Sequence, residues 1–321
     1  MNPVLVEVTR GGRVESAHRG AYVVADGQGR VLAEAGQIDL PVFPRSAVKA
    51  LQALPLVASG AADRLGLTAA EIALACASHS GEPAHVATAR AMLAKAGREA
   101  ACLECGTHWP LDAAAARALA ASGAAPSALH NNCSGKHAGF ICLAVAEGDD
   151  PAGYVRPDHP TMRRVTAALA EATGARLDAA NRATDGCSIP TYAIPLRALA
   201  TGFARFGTAD GAAARLRAAV AEHPFMVGGT GRFDTVLMTA LGPRVFSKGG
   251  AEGVHCAALP ALGLGLAVKC DDGAGRAADV ICAALIARFL GDAVPESLRY
   301  PELRNWNGLA VGAIRAAGPL A

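Results

Sequence analysis

The sequence has no long apolar run, no excess of one charge and no basic leader segment. Its longest charge-free apolar stretch, residues 253–268, is broken by histidine, proline and glycine and is too short to span a bilayer. Thirty basic residues stand against 28 acidic ones, without a basic run, so nucleic-acid binding is not indicated. The N-terminal segment contains Glu7 and lacks the features of a secretory signal peptide. We therefore expect a soluble cytoplasmic protein with no membrane or nucleic-acid partner.

Lysine is also scarce, and this scarcity points to the lysines that are present. Only five of the 30 basic residues are lysine, at positions 49, 95, 136, 248 and 269. Arginine evidently supplies charge wherever charge alone is needed. A retained lysine is then a candidate for what guanidinium cannot do, which is to lose a proton and act as a base or ligand. Lys95, on the polar side of a predicted helix, is expected to be an ordinary solvated charge.

The nine cysteines form an odd-numbered set in a chain without an export signal. Most are therefore expected to be buried thiols, with a minority serving as metal ligands. Cys102 and Cys105 have CxxC spacing, but no second CxxC pair or thioredoxin-like context accompanies them. We expect this pair to have no redox or metal-binding function.

The distribution of apolar residues predicts one α+β unit. A β-hairpin is predicted over residues 21–36, and strand-like segments over 244–250 and 264–273. Helices are predicted from Ser46 onward and near 68–77, 84–96, 138–147, 161–173 and 276–289. No repeat or linker divides the chain, so we predict a single catalytic domain over 1–321, with two closely packed lobes as a variant. Strands from both chain ends are expected to share an antiparallel sheet with helices packed around it.

The segment Ser46-Ala-Val-Lys49 combines a hydroxyl with one of the few lysines at a predicted helix start. Residues three apart lie on the same helix face, so Ser46 Oγ and Lys49 Nζ are expected to meet. A partly buried lysine near other cations has a lowered pKa and can activate a serine nucleophile. The alternative is a capping serine beside an unrelated lysine, because S-x-x-K is short and common.

A second candidate lysine, Lys248, precedes two glycines at the end of a strand-like segment. The small residues would let a substrate approach the backbone there. An early S-x-x-K and a late K-G-G resemble the pattern of serine β-lactamases and penicillin-binding proteins, although the S-D-N element of that pattern has no match. The nearest polar element is SHSGE, which begins at Ser78.

Two short motifs, Cys133-Ser-Gly-Lys136 and Asp185-Gly-Cys187, offer thiols together with nitrogen and oxygen donors. Two thiolates with such donors suit Zn²⁺, which is usually tetrahedral. Lysine is an uncommon ligand and must be neutral to coordinate a metal. On spacing alone, two buried cysteines are the favoured interpretation.

The segments HRGAYVVAD, FPRSAVKALQ, ASHSGE, HNNCSGKHAGF and DGCSIPTYAIPL occur in order and span most of the chain. Together they resemble the Rhizobium etli-type (class 3) L-asparaginases. The resemblance implies a fold related to serine β-lactamases and glutaminases, a homodimer, and hydrolysis of L-asparagine to L-aspartate and ammonia. The VGGT segment that begins at Val227 resembles the TGGT of other asparaginases but comes late in the chain, so we interpret it as a structural turn.

The resemblance also implies roles for individual residues. Ser46 would be the nucleophile and Lys49 its base, with Ser78 and Lys248 as a second Ser-Lys pair. Lys269, which also follows a strand, is the alternative to Lys248. The remaining implied residues are zinc ligands (Cys133, Lys136 and Cys187) and substrate-binding candidates (Arg45, His137 and Asp185), Asp185 also supporting the zinc site from outside. For Arg45, a structural salt bridge is an equal alternative.

Two rival functions stay open at this point. One is a serine hydrolase of the β-lactamase or penicillin-binding type, which the absence of a signal peptide disfavours. The other is a non-catalytic zinc- or ligand-binding protein of the same fold, which the presence of both Ser-Lys pairs disfavours.

Overall fold

The computed structural model describes all 321 residues. Its twelve strands are β1 (Val4–Arg10), β2 (Arg13–Asp26), β3 (Val31–Ala35), β4 (Pro41–Val42), β5 (Arg182–Thr184), β6 (Pro190–Tyr192), β7 (Ile194–Pro195), β8 (Phe246–Gly249), β9 (Val254–Leu259), β10 (Leu264–Cys270), β11 (Glu302–Arg304) and β12 (Ala310–Ala316). Eight of them form one antiparallel sheet in the order β11-β12-β1-β2-β10-β9-β8, with β3 also paired to β2. The short strands form two further pairs, β4 with β7 and β5 with β6.

Thirteen α-helices surround this sheet. They are α1 (Lys49–Ala58), α2 (Ala61–Arg64), α3 (Ala69–Leu74), α4 (Pro83–Lys95), α5 (Ala113–Ala121), α6 (Ser134–Ala146), α7 (Pro160–Thr173), α8 (Leu196–Thr208), α9 (Ala212–Glu222), α10 (Pro224–Val227), α11 (Phe233–Leu241), α12 (Gly275–Leu290) and α13 (Glu296–Arg299). None of them combines the length and apolarity that crossing a lipid bilayer requires.

The two ends of the chain meet in the large sheet. β1 pairs antiparallel with β12, with Val6 opposite Ala316. The long strand β2 pairs with β1 through its first half and with β10 through its second half. This arrangement confirms the predicted antiparallel sheet built from both chain ends, and with it the mixed helix and strand composition.

Helices cover both faces of the sheet. Every residue of β9 is buried, and because successive side chains of a strand point to opposite faces, neither face is open to solvent there. α8 and α12 both pack against β9 and β10. Gly265 on β10 lets α8 approach closely, since a Cβ at this position would overlap the Ala200 carbonyl oxygen. Six further helices pack on one another beside the sheet: α1, α3, α4, α6, α7 and α9.

Most predicted elements are present. The hairpin forms from β2 and β3, and α7 and α12 match their predicted positions within a residue or two at each end. α3 is shorter than predicted and begins after Thr68, which forms a capping box with Glu71. α6 begins at Ser134, four residues earlier than predicted, so that the CSGK motif forms its first turn. No helix was predicted at the positions of α2, α5, α8, α9, α10, α11 and α13.

Candidate active site

Lys49 is the first residue of α1 and is 1% exposed. Its Nζ hydrogen-bonds to the Ala77 carbonyl oxygen, to Ser78 Oγ at 2.9 Å and to Cys133 Sγ at 3.2 Å. Burial lowers the pKa of this amine, while the Cys133 sulfur opposes the shift. A neutral amine keeps two N–H donors for Ala77 and Cys133, and its lone pair can accept the hydroxyl proton of Ser78.

The expected contact between Ser46 and Lys49 is absent, because no hydrogen bond joins Ser46 Oγ to Lys49 Nζ. Ser46 lies in a 3₁₀ turn, Arg45–Val48, for which Pro44 rather than Ser46 is the capping residue. Val48 then departs from helical geometry with φ −91° and ψ 9°. The same-face argument assumes a regular α-helix from residue 46 to residue 49, and this turn removes that condition.

Lys248 lies on β8 and is 1% exposed. Its Nζ donates to the Gly249 carbonyl oxygen at 2.7 Å and lies 3.8 Å from Asp234 Oδ2. Burial lowers the pKa of Lys248 to about 8 against the opposing carboxylate of Asp234, and Lys49 lowers it further. Lys248 does not hydrogen-bond to Ser78, whose lysine partner is Lys49.

Lys269, the alternative lysine, has a different environment. Its Nζ donates to the carbonyl oxygens of Glu252 and Cys270 at the end of β10. It therefore holds a loop in place at the rim of a cavity, whereas Lys248 is buried close enough to Lys49 for the two amines to interact electrostatically.

Gly250, the second glycine after Lys248, admits a neighbouring segment of the chain. A Cβ at Gly250 would lie 2.6 Å from the Pro44 carbonyl oxygen and 3.0 Å from the Ala47 amide nitrogen. The missing side chain thus lets the end of β8 pack directly on the turn that carries Ser46. The sequence predicted that a substrate would approach the backbone at this point. In the structure the backbone of Pro44 and Ala47 occupies the space beside Gly250 instead.

Cys133, Lys136 and Cys187, the three residues of the implied zinc set, lie close together. Cys133 precedes α6, Lys136 lies in the first turn of α6, and Cys187 lies in the loop between β5 and β6. Lys136 Nζ is 3.0 Å from Cys187 Sγ. A hydrogen bond from Cys187, with the charges of Lys49 and Lys136, holds the pKa of Cys133 well below its ordinary value, and the same bond raises the pKa of Cys187.

This donor set fits a zinc ion in its chemistry. No cluster of three or more His, Cys, Asp and Glu side chains has the geometry of a metal site, so a metal would need the Lys136 nitrogen as a third ligand. Two sulfurs and one nitrogen in a buried place match the preference of Zn²⁺. Against the effect of burial, the Cys187 and Cys133 sulfurs raise the pKa of Lys136 to about 12, so metal binding would have to displace a proton.

Arg45 and Asp185 form a salt bridge at the edge of this cluster. Arg45 Nε donates to Asp185 Oδ1 at 2.6 Å. Arg45 also lines a cavity of about 490 Å³ together with polar and charged side chains that include Asn2, Thr184, Glu252, Lys269 and Asp271. The structural salt bridge is therefore present, and the same arginine side chain also reaches a cavity.

The family model for L-asparaginase II matches residues 6–316 of the 321. The chain belongs to the L-asparaginase II family. It is accordingly an amidohydrolase, and its substrate is a small molecule such as asparagine. No curated protein matches the chain. The asparaginase family that the sequence motifs indicated is thereby confirmed.

His137 lies in the core of this asparaginase and not in the cavity. It is completely buried, its Nδ1 is 2.6 Å from the Tyr154 hydroxyl, and its ring packs against Tyr154 and Phe140. Burial and the charges of Lys136 and Lys49 hold the pKa of His137 well below its ordinary value. This placement disfavours the predicted contact between His137 and the substrate and gives the side chain a packing role beside the Lys136 turn.

The VGGT segment of the asparaginase packs against the SHSGE loop. Ser78 N–H donates to the Val227 carbonyl oxygen, and Ser80 Oγ donates to that of Gly228. The carboxylate of Glu82 accepts hydrogen bonds from the backbone and hydroxyl of Thr230. The prediction of a structural turn is confirmed, and the turn has the specific effect of fixing the backbone of Ser78.

Sequence analysis missed the residues directly behind Lys248. Asp234, Ser247 and His255 form a buried hydrogen-bonded group around the end of β8. Each comes from a different element, and none belongs to a local motif. Only Asp234, an acidic residue in the first turn of an otherwise apolar helix, carried a signal that could have been noticed.

Proposed function

We propose that this asparaginase hydrolyses L-asparagine to L-aspartate and ammonia through a serine ester. Ser46, Lys49, Ser78 and Lys248 are the reacting side chains. The observation that carries this proposal is the buried hydrogen bond between Lys49 Nζ and Ser78 Oγ, 2.9 Å long, with a second buried amine nearby. A lysine without a carboxylate partner in a buried site is suited to accept a proton from a serine.

The proposed reaction has two halves. Ser46 Oγ attacks the side-chain carboxamide carbon while its proton passes to Lys49. The C–N bond then breaks, and the proton passes through Ser78, with Lys248 assisting, to the departing nitrogen, which leaves as ammonia. Water attacks the resulting ester, gives its proton to the same base, and releases aspartate with the serine hydroxyl restored.

Ser46 is preferred over Ser78 as the nucleophile because of its exposure. Ser46 is partly exposed in a turn next to Arg45, whereas Ser78 is buried and bonded to Lys49. Hydrogen bonds between catalytic groups are often long before substrate binds. The absence of a Ser46–Lys49 hydrogen bond therefore does not exclude Ser46 as the nucleophile. The Lys49–Ser78 bond makes Ser78 the second candidate.

The substrate would bind in the cavity beside Arg45. Arg45 uses Nε for Asp185, which leaves its terminal nitrogens for the α-carboxylate of an amino acid. Acidic side chains of the same cavity, Glu252 and Asp271, could face the α-ammonium group. This distribution of charge suits a zwitterionic amino acid better than a neutral amide.

Zinc would be held by Cys133, Lys136 and Cys187. Bound there, it would stabilise the cluster and orient the substrate. On the strength of the resemblance we also propose a fold related to serine β-lactamases and glutaminases and a homodimer. From the sequence pattern we propose a single domain and a cytoplasmic location.

Ammonia release tests the activity directly. The purified protein should release ammonia from L-asparagine well above the rate in buffer, with L-glutamine as the comparison substrate. Turnover of the β-lactam nitrocefin without ammonia release would instead indicate a penicillin-recognising hydrolase. Absence of both activities in a folded protein would indicate a binding protein.

Replacement of Ser46 by alanine tests the nucleophile. Ser46→Ala should lower kcat by at least about 10³-fold, and Ser78→Ala by about 10² to 10⁴-fold, because a positioned proton-transfer group typically contributes that much. Peptide mapping by mass spectrometry, after reaction with a diazoketone analogue of asparagine, should locate the label on Ser46. A label on Ser78, or full activity of Ser46→Ala, would transfer the role to Ser78.

A further inference from the structure

A buried polar group lies directly behind Lys248. It consists of Asp234 at the start of α11, Ser247 on β8 and His255 on β9, of which Asp234 is the most exposed at 9%. Ser247 Oγ donates to Asp234 Oδ1 at 2.7 Å and lies 2.8 Å from His255 Nε2. His255 Nε2 is also 3.1 Å from the same carboxylate oxygen. These three side chains therefore hold one another in place.

The second oxygen of Asp234 faces the backbone and side chain of the lysine segment. Asp234 Oδ2 accepts the Gly249 N–H at 2.9 Å and lies 3.8 Å from Lys248 Nζ. Gly249 pairs with His255 across β8 and β9. The Asp234 carboxylate thus joins three elements, α11, β8 and β9, next to the backbone of Lys248.

The charges within the group support one another. Burial alone would raise the pKa of Asp234, but the hydrogen bond and charge of His255, the charge of Lys248 and the Gly249 N–H hold it far below its ordinary value. Burial alone would lower the pKa of His255. Cys282 and the carboxylates of Asp234 and Asp279 oppose this effect and hold the pKa of His255 well above its ordinary value. An imidazolium with Nδ1 3.1 Å from Asp279 and Nε2 on Asp234 satisfies both ring nitrogens.

His255 lies between Ser247 and Asp279 and contacts both, as the histidine of a serine hydrolase triad does. The surroundings nevertheless exclude a second nucleophilic site. Ser247 is completely buried and its hydroxyl proton is donated to Asp234, so neither an incoming carbonyl nor a free base is available. The only polar contact of the group with the candidate active site is through Lys248 and Gly249.

We propose that Asp234, held by Ser247 and His255, is a positioning residue that fixes Lys248 beside Lys49 and Ser78 for proton transfer. This inference rests on the proposed role of Lys248 in asparagine hydrolysis. Asp234 does not contact the substrate and acts only through the lysine. Its carboxylate sets the direction of the amine and favours the protonated form, which the departing ammonia requires.

The pH dependence of the enzyme reports on this contact. The titratable and charged groups that act on Lys248 or are acted on by it are Asp234, Lys49, Arg232, Cys133, Cys76 and Cys256. Asp234 is the only carboxylate among them. Because a carboxylate stabilises an ammonium group, its removal must lower the pKa of Lys248.

The test is the variation of kcat with pH, measured by ammonia release for the wild-type enzyme and Asp234→Asn. The pKa of Lys248, about 8, leads us to expect an inflection near pH 8 in the wild type. In the variant this inflection should move down by about one unit, and kcat should fall roughly 10- to 100-fold. Asp279→Asn is the matched control, because it removes a carboxylate from His255 without contacting Lys248. It should lower the melting temperature but leave the inflection in place.

Other outcomes separate this inference from the proposed function. A folded Asp234→Asn enzyme with wild-type kcat and inflection overturns the inference, as does an equal shift in both Asp variants. Lys248→Met should abolish the inflection. If Lys248→Met keeps the wild-type profile, the role of Lys248 fails and the inference fails with it. If Asp234→Asn does not fold, Ser247→Ala replaces it, and unchanged kcat in that variant overturns the inference.

Discussion

Arg45 holds a backbone conformation that arginine rarely adopts. Its φ is +50°, in the left-handed region, which costs a non-glycine residue on the order of 1–3 kcal/mol. The salt bridge to Asp185, a residue from a distant loop, keeps the side chain in place despite this cost. Strain of this kind persists where the surroundings over-determine a residue, and here it accompanies a guanidinium that lines a cavity.

Replacement of Arg45 by lysine should weaken substrate binding more than turnover. Lysine keeps the charge but cannot bridge Asp185 and a carboxylate with a planar fork. We expect KM for asparagine to rise at least about 10-fold, with kcat changed much less, in steady-state ammonia assays. Arg197→Lys is the control, because Arg197 forms a similar pair with exposed Asp39 on the surface. An unchanged KM in Arg45→Lys would remove Arg45 from the substrate site.

At the scale of secondary structure, the site depends on how closely two elements approach. The end of β8 packs on the 3₁₀ turn that carries Ser46, and only a glycine at position 250 leaves room for the Pro44 carbonyl oxygen. The strand supplies Lys248 and the turn supplies Ser46, so this contact fixes the relative position of the two side chains.

Gly250→Ala should therefore impair catalysis as well as folding. The added Cβ meets backbone atoms, which cannot move as a flexible side chain can, so we expect a loss of roughly 1–3 kcal/mol in unfolding free energy and a clear fall in kcat. Chemical denaturation and ammonia release measure the two effects. Gly275→Ala, at the start of α12 with no atom near the added Cβ, should be neutral or slightly stabilising. Equal behaviour of the two variants would contradict this account.

At the scale of the whole molecule, the site collects residues from separate parts of the chain. Six parts of the chain each contribute one or two side chains: the turn before α1, the start of α1, the loop after α3, the start of α6, the β5–β6 loop and β8. Lys49 hydrogen-bonds to Ser78 and to Cys133, which are far from it in sequence. These hydrogen bonds form only when the elements have packed. Anything that binds only this assembled arrangement stabilises the whole fold.

Zinc is expected to act in this way. The purified protein should contain about one zinc ion per chain, and removal by a chelator should lower the melting temperature. Cys133→Ser and Cys187→Ser should each lose the metal and the response to chelator, as measured by elemental analysis and calorimetry. Cys102→Ser, which changes a cysteine outside the cluster, should retain both. A metal-free wild-type protein with an unchanged melting temperature would refute the zinc proposal.

The sequence by itself determined the family, the antiparallel sheet from both chain ends, and which polar residues were candidates for the site. These inferences rest on local patterns that do not depend on packing: alternating apolar and polar residues in strands, helical periodicity of apolar residues, and short motifs that occur in a fixed order. It could not determine which side chains pair. Ser46 and Lys49 are neighbours in sequence, yet Lys49 bonds to Ser78, because the 3₁₀ turn and the packing of α3 and α6 decide the direction of the amine. Asp234 and His255 likewise carry no motif, since the contacts of His255 with Asp234 and of Asp234 with Lys248 exist only where α11, β8 and β9 meet.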